Sequence, residues 1–321
     1  MTEASNHTVA ESRDVVRAII EGRDPRMLAV VGPCSIHDPE AAYEYAKGLK
    51  ALHDELNEQL YIVMRVYFEK PRTKLGWRGL ILDPHLDGSN AIEQGLTQAR
   101  KVLLGITGIG LPAGSEMLDP IVPQYIDDLV TWASIGARTT ESQTHRDMAS
   151  GLSMPVGFKN GTDGDIRTAV NALSAAQAPH SFIGIDQAGR TSVLHTTGNP
   201  HGHVILRGGK SGPNYHDEAV EDALAICADQ GLSGKIVVDC SHGNSRKEPA
   251  RQPRVLRSVV RQRVEGNASI IGFMLESNIH EGRQNPAPPS ELSYGVSITD
   301  ACMSLETSAK VLRDAAAHLC G

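Results

Sequence analysis

Residues 27–55 read MLAVVGPCSIHDPEAAYEYAKGLKALHDE, a stretch with the order of a strand, a tight turn and a helix. The apolar run at 27–31 has the length of a buried strand, and Gly32 and Pro33 end it. Asp38 is typical of a helix N-cap and Pro39 of the first helical position, so we expect a helix from there to about Glu55. The stretch therefore predicts one β/α unit.

The same rhythm recurs along the chain. The expected strands lie at 27–31, 61–68, 114–118, 135–138, 155–159, 203–207, 235–240 and 270–276. The expected helices lie at 38–55, 92–104, 124–133, 141–151, 166–175 and 217–230. Strands that alternate with helices predict a parallel sheet, and eight units favour a closed (β/α)8 TIM barrel of the α/β class. An open doubly wound sheet is the alternative, although the sequence has no GxGxxG dinucleotide motif.

Two further strand-like runs, 182–186 and 191–196, flank the spacer Gln187-Ala188-Gly189-Arg190, which is typical of a turn. We expect a β-hairpin inserted into the barrel at 182–196. With a short N-terminal segment at 1–25, the whole chain 1–321 is then expected to form a single catalytic barrel domain, a size that α/β barrels commonly reach.

Composition limits the classes of function. The net charge of -7 and the pI near 6.0 argue against a nucleic-acid partner. The 5 cysteines are odd in number and irregularly spaced, which indicates a reducing cytoplasm and not a disulfide framework. The N-terminus lacks the layout of a signal peptide, and the sequence has no apolar run of the ~20 residues that a membrane helix needs. We therefore expect a cytoplasmic protein without a membrane partner.

Reactive side chains follow the expected strands. Barrel enzymes place their catalytic residues at the carboxyl ends of the strands. The side chains at those positions are Cys34, Arg65, Glu69, Lys70, Glu116, Arg138, Lys159, Arg207, His242 and Glu276. Each expected strand thus ends near a charged or metal-capable side chain, which predicts a functional site at this face.

One group of these side chains is cationic. Its members are Arg65, Lys70, Arg72, Arg138, Lys159 and Arg207. Arginine binds phosphate and carboxylate through paired hydrogen bonds, and lysine contributes a point charge. Any one of them could be a surface cation, as Lys74, Lys101 and Lys247 are expected to be. Together at the strand ends of an acidic protein they would repel one another without a ligand, so the group predicts an anionic substrate.

A second group, Cys34, His242, Glu276 and Asp300, offers a thiolate, an imidazole and two carboxylates. These ligands suit a divalent ion such as Mn, Fe, Co or Zn. No local spacing marks the site, so other interpretations stay open. Cys34 could be a buried apolar residue or could pair with His37 as a nucleophile. Asp300 could cap a helix that begins near Ala301.

Seven longer motifs carry a family resemblance. They are GPCSIHD at 32–38, RVYFEKPRT at 65–73, GARTTES at 136–142, GFKNGTDG at 157–164, LRGGK at 206–210, DCSHGN at 239–244 and SITDAC at 297–302. In this order they resemble type I 3-deoxy-D-arabino-heptulosonate 7-phosphate (DAHP) synthases of the microbial class. The resemblance implies a metal-dependent (β/α)8 barrel that condenses phosphoenolpyruvate with D-erythrose 4-phosphate and water, giving DAHP and phosphate, the first step of the shikimate pathway of aromatic amino acid biosynthesis.

The resemblance also implies roles by position. Cys34, His242, Glu276 and Asp300 would hold the metal. Arg138, Lys159 and Arg207 would hold the phosphate of phosphoenolpyruvate, and Arg65 and Lys159 its carboxylate. Arg72 and Thr73 would bind the phosphate of erythrose 4-phosphate, with Lys70 near the aldehyde. Glu116, with Lys159, would position the attacking water. A homodimer or homotetramer is expected.

Regulation is the point at which the chain departs from the family. It begins close to the first barrel unit, so the N-terminal arm of longer members, which helps form their subunit contacts and feedback site, is expected to be largely missing. We therefore expect weak or absent feedback inhibition. Ser153 stands where phenylalanine-sensitive members tend to have serine, which favours phenylalanine if an effector exists. The candidate effector-pocket residues are Asp119, Pro123, Gln124, Leu152, Ser153 and Phe182.

Two rival functions stay open. A sister enzyme would condense phosphoenolpyruvate with another aldose phosphate, as in 3-deoxy-octulosonate 8-phosphate synthesis, but Lys70-Pro71-Arg72-Thr73 favours the four-carbon sugar. A non-catalytic paralogue that binds phosphorylated metabolites would not need a metal site, and the presence of all four expected ligands argues against it.

Overall fold

Eight parallel strands close into a barrel in the computed structural model, which describes residues 1–72, 75–186 and 188–320. The strands in chain order are β1 Met27–Gly32, β2 Leu60–Arg65, β3 Ala113–Glu116, β4 Trp132–Ile135, β5 Val156–Lys159, β6 Ser181–Ile185, β7 Thr191–His195, β8 Gly202–Leu206, β9 Ile236–Asp239, β10 Ile270–Asn278 and β11 Met303–Ser304. The barrel order is β1-β2-β3-β4-β5-β8-β9-β10, and β1 pairs with β10 from Leu28↔Gly272 to Gly32↔Glu276. The expected TIM barrel is confirmed.

Helices surround the barrel. They are α1 Glu3–Glu21, α2 Pro39–Glu55, α3 Ile92–Gly108, α4 Pro123–Ile126, α5 Gln143–Gly151, α6 Arg167–Ala176, α7 Asp217–Asp229, α8 Gln252–Val264 and α9 Leu305–Leu319. As the sequence indicated, the Asp38 side chain caps α2 by accepting from the N–H groups of Glu40 and Ala41, with Pro39 at the helix start. No helix in the described part of the chain is both long and apolar enough to cross a membrane.

The barrel strands are buried on both faces, which explains their continuous apolar runs. Side chains that point inward fill the barrel, among them Leu28, Val63, Trp132 and Ile205. The outward side chains pack under the helices as a second and larger core. This packing holds the carboxyl ends of the strands, and therefore the residues that follow them, in fixed positions.

The segment 1–25, expected only as an extension, is mostly the helix α1. Its Val16, Ile19 and Ile20 are buried among the inward side chains of the barrel strands. Thr2 caps the helix start, and Gly22 ends it with a φ of 77°, a conformation that suits glycine. The helix thus covers apolar side chains inside the barrel and leaves the carboxyl ends of the strands free.

The prediction of a helix at 124–133 was wrong in its second half. Only α4 and a 3-10 turn at Asp127–Leu129 are helical, and β4 begins at Trp132. Trp132 and Ala133 are completely buried between neighbouring strands. A short apolar run does not distinguish a buried strand from a helix. The expected fourth strand at 135–138 was therefore placed too late, and Arg138 lies in the loop after β4.

The expected hairpin is present as the two-stranded antiparallel sheet of β6 and β7, with pairs from Ser181↔His195 to Ile185↔Thr191. It lies between α6 and β8 in the chain and is not hydrogen-bonded into the barrel sheet. Gln187, in the expected turn, lies outside the described residues. The insertion lengthens one α/β connection without interrupting the barrel.

Candidate active site at the barrel mouth

Most of the predicted site residues meet in one cavity at the carboxyl ends of the strands. The cavity has a volume of about 320 Å³. The predicted residues in its lining are Lys70, Arg72, Glu116, Arg138, Lys159, Arg207, His242 and Asp300. Arg65, Cys34 and Glu276 lie almost fully buried beneath this group of residues and contact it. Thr73, also predicted, lies outside the described residues.

A metal-capable group lies at the base of the cavity. One ligand atom from each of Cys34, Glu276 and Asp300 lies within 4.8 Å of the others. His242 Nε2 is 3.7 Å from Glu276 Oε1, so the fourth predicted residue faces the same group. A thiol, an imidazole and two carboxylates fit a divalent transition metal. Burial, and then the nearby Glu276, raise the pKa of the Cys34 thiol, so binding of a cation there would be needed to favour the thiolate.

Two alternatives for these residues do not match the geometry. Asp300 does not cap a helix, because α9 begins at Leu305 and is capped by Ser304. The Cys34 sulfur contacts the Lys70 ammonium at 3.3 Å, and among the described residues no hydrogen bond joins it to His37. Lys70 Nζ also donates to the Cys34 carbonyl at 3.0 Å. The half-buried ammonium of Lys70 therefore lies beside the sulfur, at the place where a Cys/His nucleophile pair would need a base.

Arg65 is a buried cation with an unused donor. Its Nη2 donates to Glu276 Oε1 at 3.2 Å, and its guanidinium lies 4.0 Å from the ring centre of Tyr67. Burial opposes its charge, but Tyr67 and Glu276 raise the pKa of Arg65. Its Nη1 is buried and has no hydrogen-bond partner among residues 1–72, 75–186 and 188–320. A buried donor without a partner is costly, which indicates that a ligand completes it.

Glu116 is a second buried charged residue of the site, and one of its acceptor oxygens is left unused by the described residues. It is almost fully buried, and its Oε1 also lacks a partner within the described chain. Gly136 leaves the room for this carboxylate, because a Cβ at that position would collide with Glu116 Oε1. The neighbouring Glu69 has its pKa raised to about 8, mainly by burial and also by the nearby Asp119 and Glu116. Glu116 is therefore a buried acceptor that is free to face a substrate or water.

Lys159 and His242 are joined by a residue that the sequence analysis did not single out. Asp239 Oδ2 is 2.9 Å from Lys159 Nζ and 2.9 Å from His242 Nδ1. Burial alone would raise the pKa of Asp239, but His242 and Lys159 hold it well below its usual range. Asp239 is the last residue of β9 and part of the DCSHGN motif, so only its place at a strand end could have indicated it.

Arg138 and Arg207 both line the cavity. Burial, opposed by Asp239, lowers the pKa of Arg207, and the charge of Arg138 lowers it further. Two arginines that repel each other across a cavity indicate an anionic ligand between them. Lys247, which we expected to be an ordinary solvated residue, lines the cavity too and lies 3.3 Å from Asp300.

Three buried asparagines hold the loops around the mouth. Asn160 Oδ1 accepts a hydrogen bond from the backbone N–H of Arg207, and Asn214 Nδ2 donates to the same oxygen. Asn244 Nδ2 donates to the carbonyls of Leu206 and Asp239. The loops after β5, β8 and β9 are therefore tied together, although no sequence pattern marks these contacts.

The predicted effector residues are only partly brought together. Pro123, Gln124, Leu152 and Phe182 line a separate cavity of about 500 Å³ beneath the hairpin. Asp119 and Ser153 are not in its lining. Instead, Asp119 donates its backbone N–H towards Glu69, and the Ser153 hydroxyl accepts from Arg13 on α1. The cavity contains four of the six predicted residues.

A (β/α)8 barrel whose mouth combines clustered cations, a metal-capable group and a free buried carboxylate is an enzyme of small anionic substrates. The chain belongs to the DAHP synthetase I family, whose model matches residues 3–313. Its curated relatives at high identity are DAHP synthases, which carry out the first step of aromatic amino acid biosynthesis.

Individual relatives cover nearly the whole chain. The phospho-2-dehydro-3-deoxyheptonate aldolase of Escherichia coli strain K12 named Tyr-sensitive is 60% identical over 95% of this chain and 86% of its own length. The Phe-sensitive aldolase of the same strain is 51% identical over 98% of this chain and 90% of its own. A solved structure of the aldolase from Francisella tularensis SCHU S4 matches with a TM-score of 0.97 and 47% identity, over 99% of this chain and 93% of that one.

Proposed function

We propose that the chain condenses phosphoenolpyruvate with D-erythrose 4-phosphate and water to give DAHP and phosphate. The observation that carries this proposal is that two buried groups at a cation-rich barrel mouth, Arg65 Nη1 and Glu116 Oε1, have no hydrogen-bond partner among the described residues, next to a metal-capable group. The family membership of the chain supports the same reaction.

Cys34, His242, Glu276 and Asp300 would hold one divalent ion, of manganese, iron, cobalt or zinc. When bound there, the ion would act as a Lewis acid on the aldehyde oxygen of the sugar. Their donor set and their mutual distances fit this role. Lys70, whose ammonium lies 3.3 Å from the Cys34 sulfur, is then close enough to the group to orient the same aldehyde.

The cations would bind phosphoenolpyruvate at both ends. Arg138, Lys159 and Arg207 would hold its phosphate, because the mutual repulsion of the two arginines is relieved by an anion between them. Arg65 would hold its carboxylate through the free Nη1, together with Lys159. This arrangement fixes the orientation of the enol C2–C3 bond, which supplies much of the expected rate enhancement.

The chemical steps then need few further groups. C3 of phosphoenolpyruvate forms a bond to the aldehyde carbon, whose oxygen gains the electron pair and a proton, and positive charge develops at C2. Water positioned by Glu116 and Lys159 adds to C2 and releases one proton, which balances the proton gained by the former aldehyde oxygen. The bond from C2 to the phosphate oxygen then breaks, the C2 hydroxyl loses its proton to the departing phosphate, the phosphate leaves towards the cations, and the product is the keto sugar. The buried Glu116 carboxylate stabilises positive charge at C2.

Erythrose 4-phosphate would bind above this site, with its phosphate on Arg72 and Thr73. Arg72 is exposed at the mouth, and its Nε donates to the Trp77 carbonyl at 2.7 Å, which leaves its terminal nitrogens for a phosphate. Thr73 is proposed on the family resemblance alone.

Separate phosphate subsites predict separate kinetic effects. We expect Arg72→Ala to raise the KM for erythrose 4-phosphate far more than the KM for phosphoenolpyruvate, and Arg207→Ala to do the reverse. Each change removes a charge-assisted hydrogen bond worth roughly 1.5–3 kcal/mol. Initial rates measured over both substrate concentrations would check this, with Arg313→Ala, in a surface ion pair with Glu55, as the control. Equal effects of both variants on both substrates would contradict the assignment.

The reaction is tested most simply by comparing sugars. Phosphate release from phosphoenolpyruvate is measured with erythrose 4-phosphate and with arabinose 5-phosphate, each with and without a chelator. We expect release with the four-carbon sugar that the chelator abolishes. Release with the five-carbon sugar alone would favour the sister octulosonate synthase, and release with neither would indicate a paralogue that only binds metabolites.

We also propose that the cavity beneath the hairpin binds an aromatic amino acid as an effector. Support comes from the apolar side chains of Leu152 and Phe182 in its lining, and from relatives named Tyr-, Phe- and Trp-sensitive. Ser153 favours phenylalanine, whereas the higher identity to Tyr-sensitive relatives favours tyrosine. Rates with each amino acid at millimolar concentration decide between them and test the expectation of weak inhibition.

If an aromatic amino acid inhibits, Phe182→Ala should weaken that inhibition by about ten-fold or more, because loss of one buried aromatic contact costs at least ~1.4 kcal/mol. Val264→Ala is the control, since the Val264 side chain on α8 is 53% exposed and absent from the cavity lining. Equal inhibition constants for wild type and Phe182→Ala would place the effector elsewhere.

A homodimer or homotetramer is proposed as the functional state. Ile183 and Val193 are directly paired across the hairpin and are 77% and 62% exposed, an apolar surface that a second subunit would bury. Light scattering of the purified chain measures its mass. A monomer at micromolar concentration would contradict this proposal.

A further inference from the structure

Asp239 makes an unusual set of contacts for a fully buried carboxylate. Its Oδ2 lies 2.9 Å from both Lys159 Nζ and His242 Nδ1. Its Oδ1 accepts from the N–H and the hydroxyl of Ser241, at 3.0 and 2.6 Å. The side chain is 0% exposed, and the charges of Arg65 and Arg207 also lie nearby. All four lone-pair directions are in use, which fixes the carboxylate in one orientation.

The two groups on Oδ2 belong to different parts of the proposed site. Lys159 is expected to contact phosphoenolpyruvate, and His242 is expected to bind the metal. His242 Nδ1 lies 2.9 Å from Asp239 Oδ2 and 2.8 Å from the Ser241 hydroxyl oxygen, and this hydroxyl donates to Asp239 Oδ1. A histidine that donates Nδ1–H to either oxygen is held as the tautomer with a free Nε2. His242 Nε2 does face Glu276 Oε1, at 3.7 Å. The Asp239 carboxylate therefore determines where the Lys159 ammonium points and, directly or through Ser241, which nitrogen His242 offers.

We propose that Asp239 is a positioning residue that couples the phosphoenolpyruvate subsite to the metal subsite, because its carboxylate contacts Lys159 and also contacts His242, both directly and through the Ser241 hydroxyl. This inference rests on the proposed function. His242 would hold the ion through Nε2 only while its Nδ1–H is held by Asp239 or by Ser241, and the same carboxylate holds the Lys159 ammonium. Metal binding and correct placement of the lysine would thereby depend on one buried carboxylate.

Asp239→Asn tests the coupling with little change in volume. The amide is uncharged and has only one acceptor oxygen, so it cannot accept both from Lys159 on one side and from the two Ser241 donors on the other. We expect Mn²⁺ affinity, measured by calorimetry on metal-free protein, to fall about 10–100-fold. We expect the dissociation constant of phosphoenolpyruvate to rise at least about ten-fold, with a higher KM and a lower kcat. A residue with a merely structural role would lower the melting temperature without moving these two binding constants.

Asp128→Asn is the matched control, because it breaks an ion pair with Arg100 that lies before β4, away from the mouth. It should leave both binding constants unchanged. If the wild-type chain binds Mn²⁺ and phosphoenolpyruvate and Asp239→Asn binds both equally well, the inference about Asp239 is overturned while the proposed function stands. A wild-type chain that binds neither would overturn the proposed function and this inference with it.

A second measurement needs no change at position 239 and decides the matter if Asp239→Asn does not fold. In the metal-free wild-type chain, at a pH where the imidazole is neutral, ¹⁵N spectra of labelled histidine, assigned with His242→Gln, should place the ring proton of His242 on Nδ1. A ring proton on Nε2 would mean that His242 does not donate through Nδ1 to Asp239 or Ser241, and would overturn the inference.

Discussion

Replacing Cys34 by alanine is expected to leave a folded barrel that has lost turnover and cannot be rescued by added metal. Cys34 supplies the only sulfur in the metal-capable group, and its side chain is completely buried beside Glu276 and Asp300. Loss of a residue that binds the metal directly should lower metal affinity by more than the ~10–100-fold that follows removal of a residue hydrogen-bonded to a ligand. In the wild type, a chelator should abolish turnover, and Mn²⁺ or Co²⁺ should restore it.

Metal titrations of the purified variant, together with its thermal unfolding, would check this expectation. Cys227→Ala is the control, because Cys227 is also a buried free cysteine but lies on α7, away from the mouth. Both variants lose one small buried side chain, so a difference in activity between them measures the loss of metal binding and not the loss of packing. Full activity of Cys34→Ala would mean that the thiol is only a packing residue.

Lys159→Met should lower kcat by roughly 10²–10³-fold, the usual effect of removing one preorganised donor from an active site. Lys159 is only 4% exposed and lines the mouth, and its ammonium is expected to contact the phosphate and carboxylate of phosphoenolpyruvate and the attacking water. Its loss also leaves Asp239 with one cationic partner fewer. The cost in stability should stay below the ~3–5 kcal/mol of a fully broken buried pair, because His242 and Ser241 still contact Asp239.

Steady-state rates at saturating substrates and urea unfolding curves measure the two effects separately. Lys101→Met removes an exposed lysine from α3 and should change neither. A Lys159→Met variant with kcat within a few-fold of wild type would exclude a role for the ammonium in the chemical steps.

The barrel could be predicted from sequence because each strand is a short apolar run that ends at a turn, as at Met27–Gly32 before Pro33. The start of β4 was predicted too late because its apolar residues follow almost directly on those of the 3-10 turn at Asp127–Leu129. The spacing of apolar residues in this short stretch does not show where the helical turn ends and the strand begins. The helix α1 was not expected, because only three of its buried residues, Val16, Ile19 and Ile20, pack against the barrel interior and the rest of the segment is largely polar. Its role depends on tertiary packing that no local pattern expresses.

The candidate site was predictable where chemistry follows a strand end directly. Cys34, Lys159 and His242 each come at or just after such an end, and the structure brings them to one mouth. Asp239 was not singled out, because its importance comes from two contacts, one to a residue 80 positions away in the sequence. Gly136 was missed for a similar reason, since only the position of Glu116 explains why a side chain is excluded there.

The most direct test of the account is the position of a bound metal and substrate. Crystals grown with Mn²⁺ and phosphoenolpyruvate would be measured at a wavelength where manganese scatters anomalously. The account predicts one anomalous peak between Cys34, His242, Glu276 and Asp300, with the substrate phosphate on Arg138 and Arg207 and its carboxylate on Arg65. A peak outside the barrel mouth, or phosphoenolpyruvate bound away from these arginines, would contradict it.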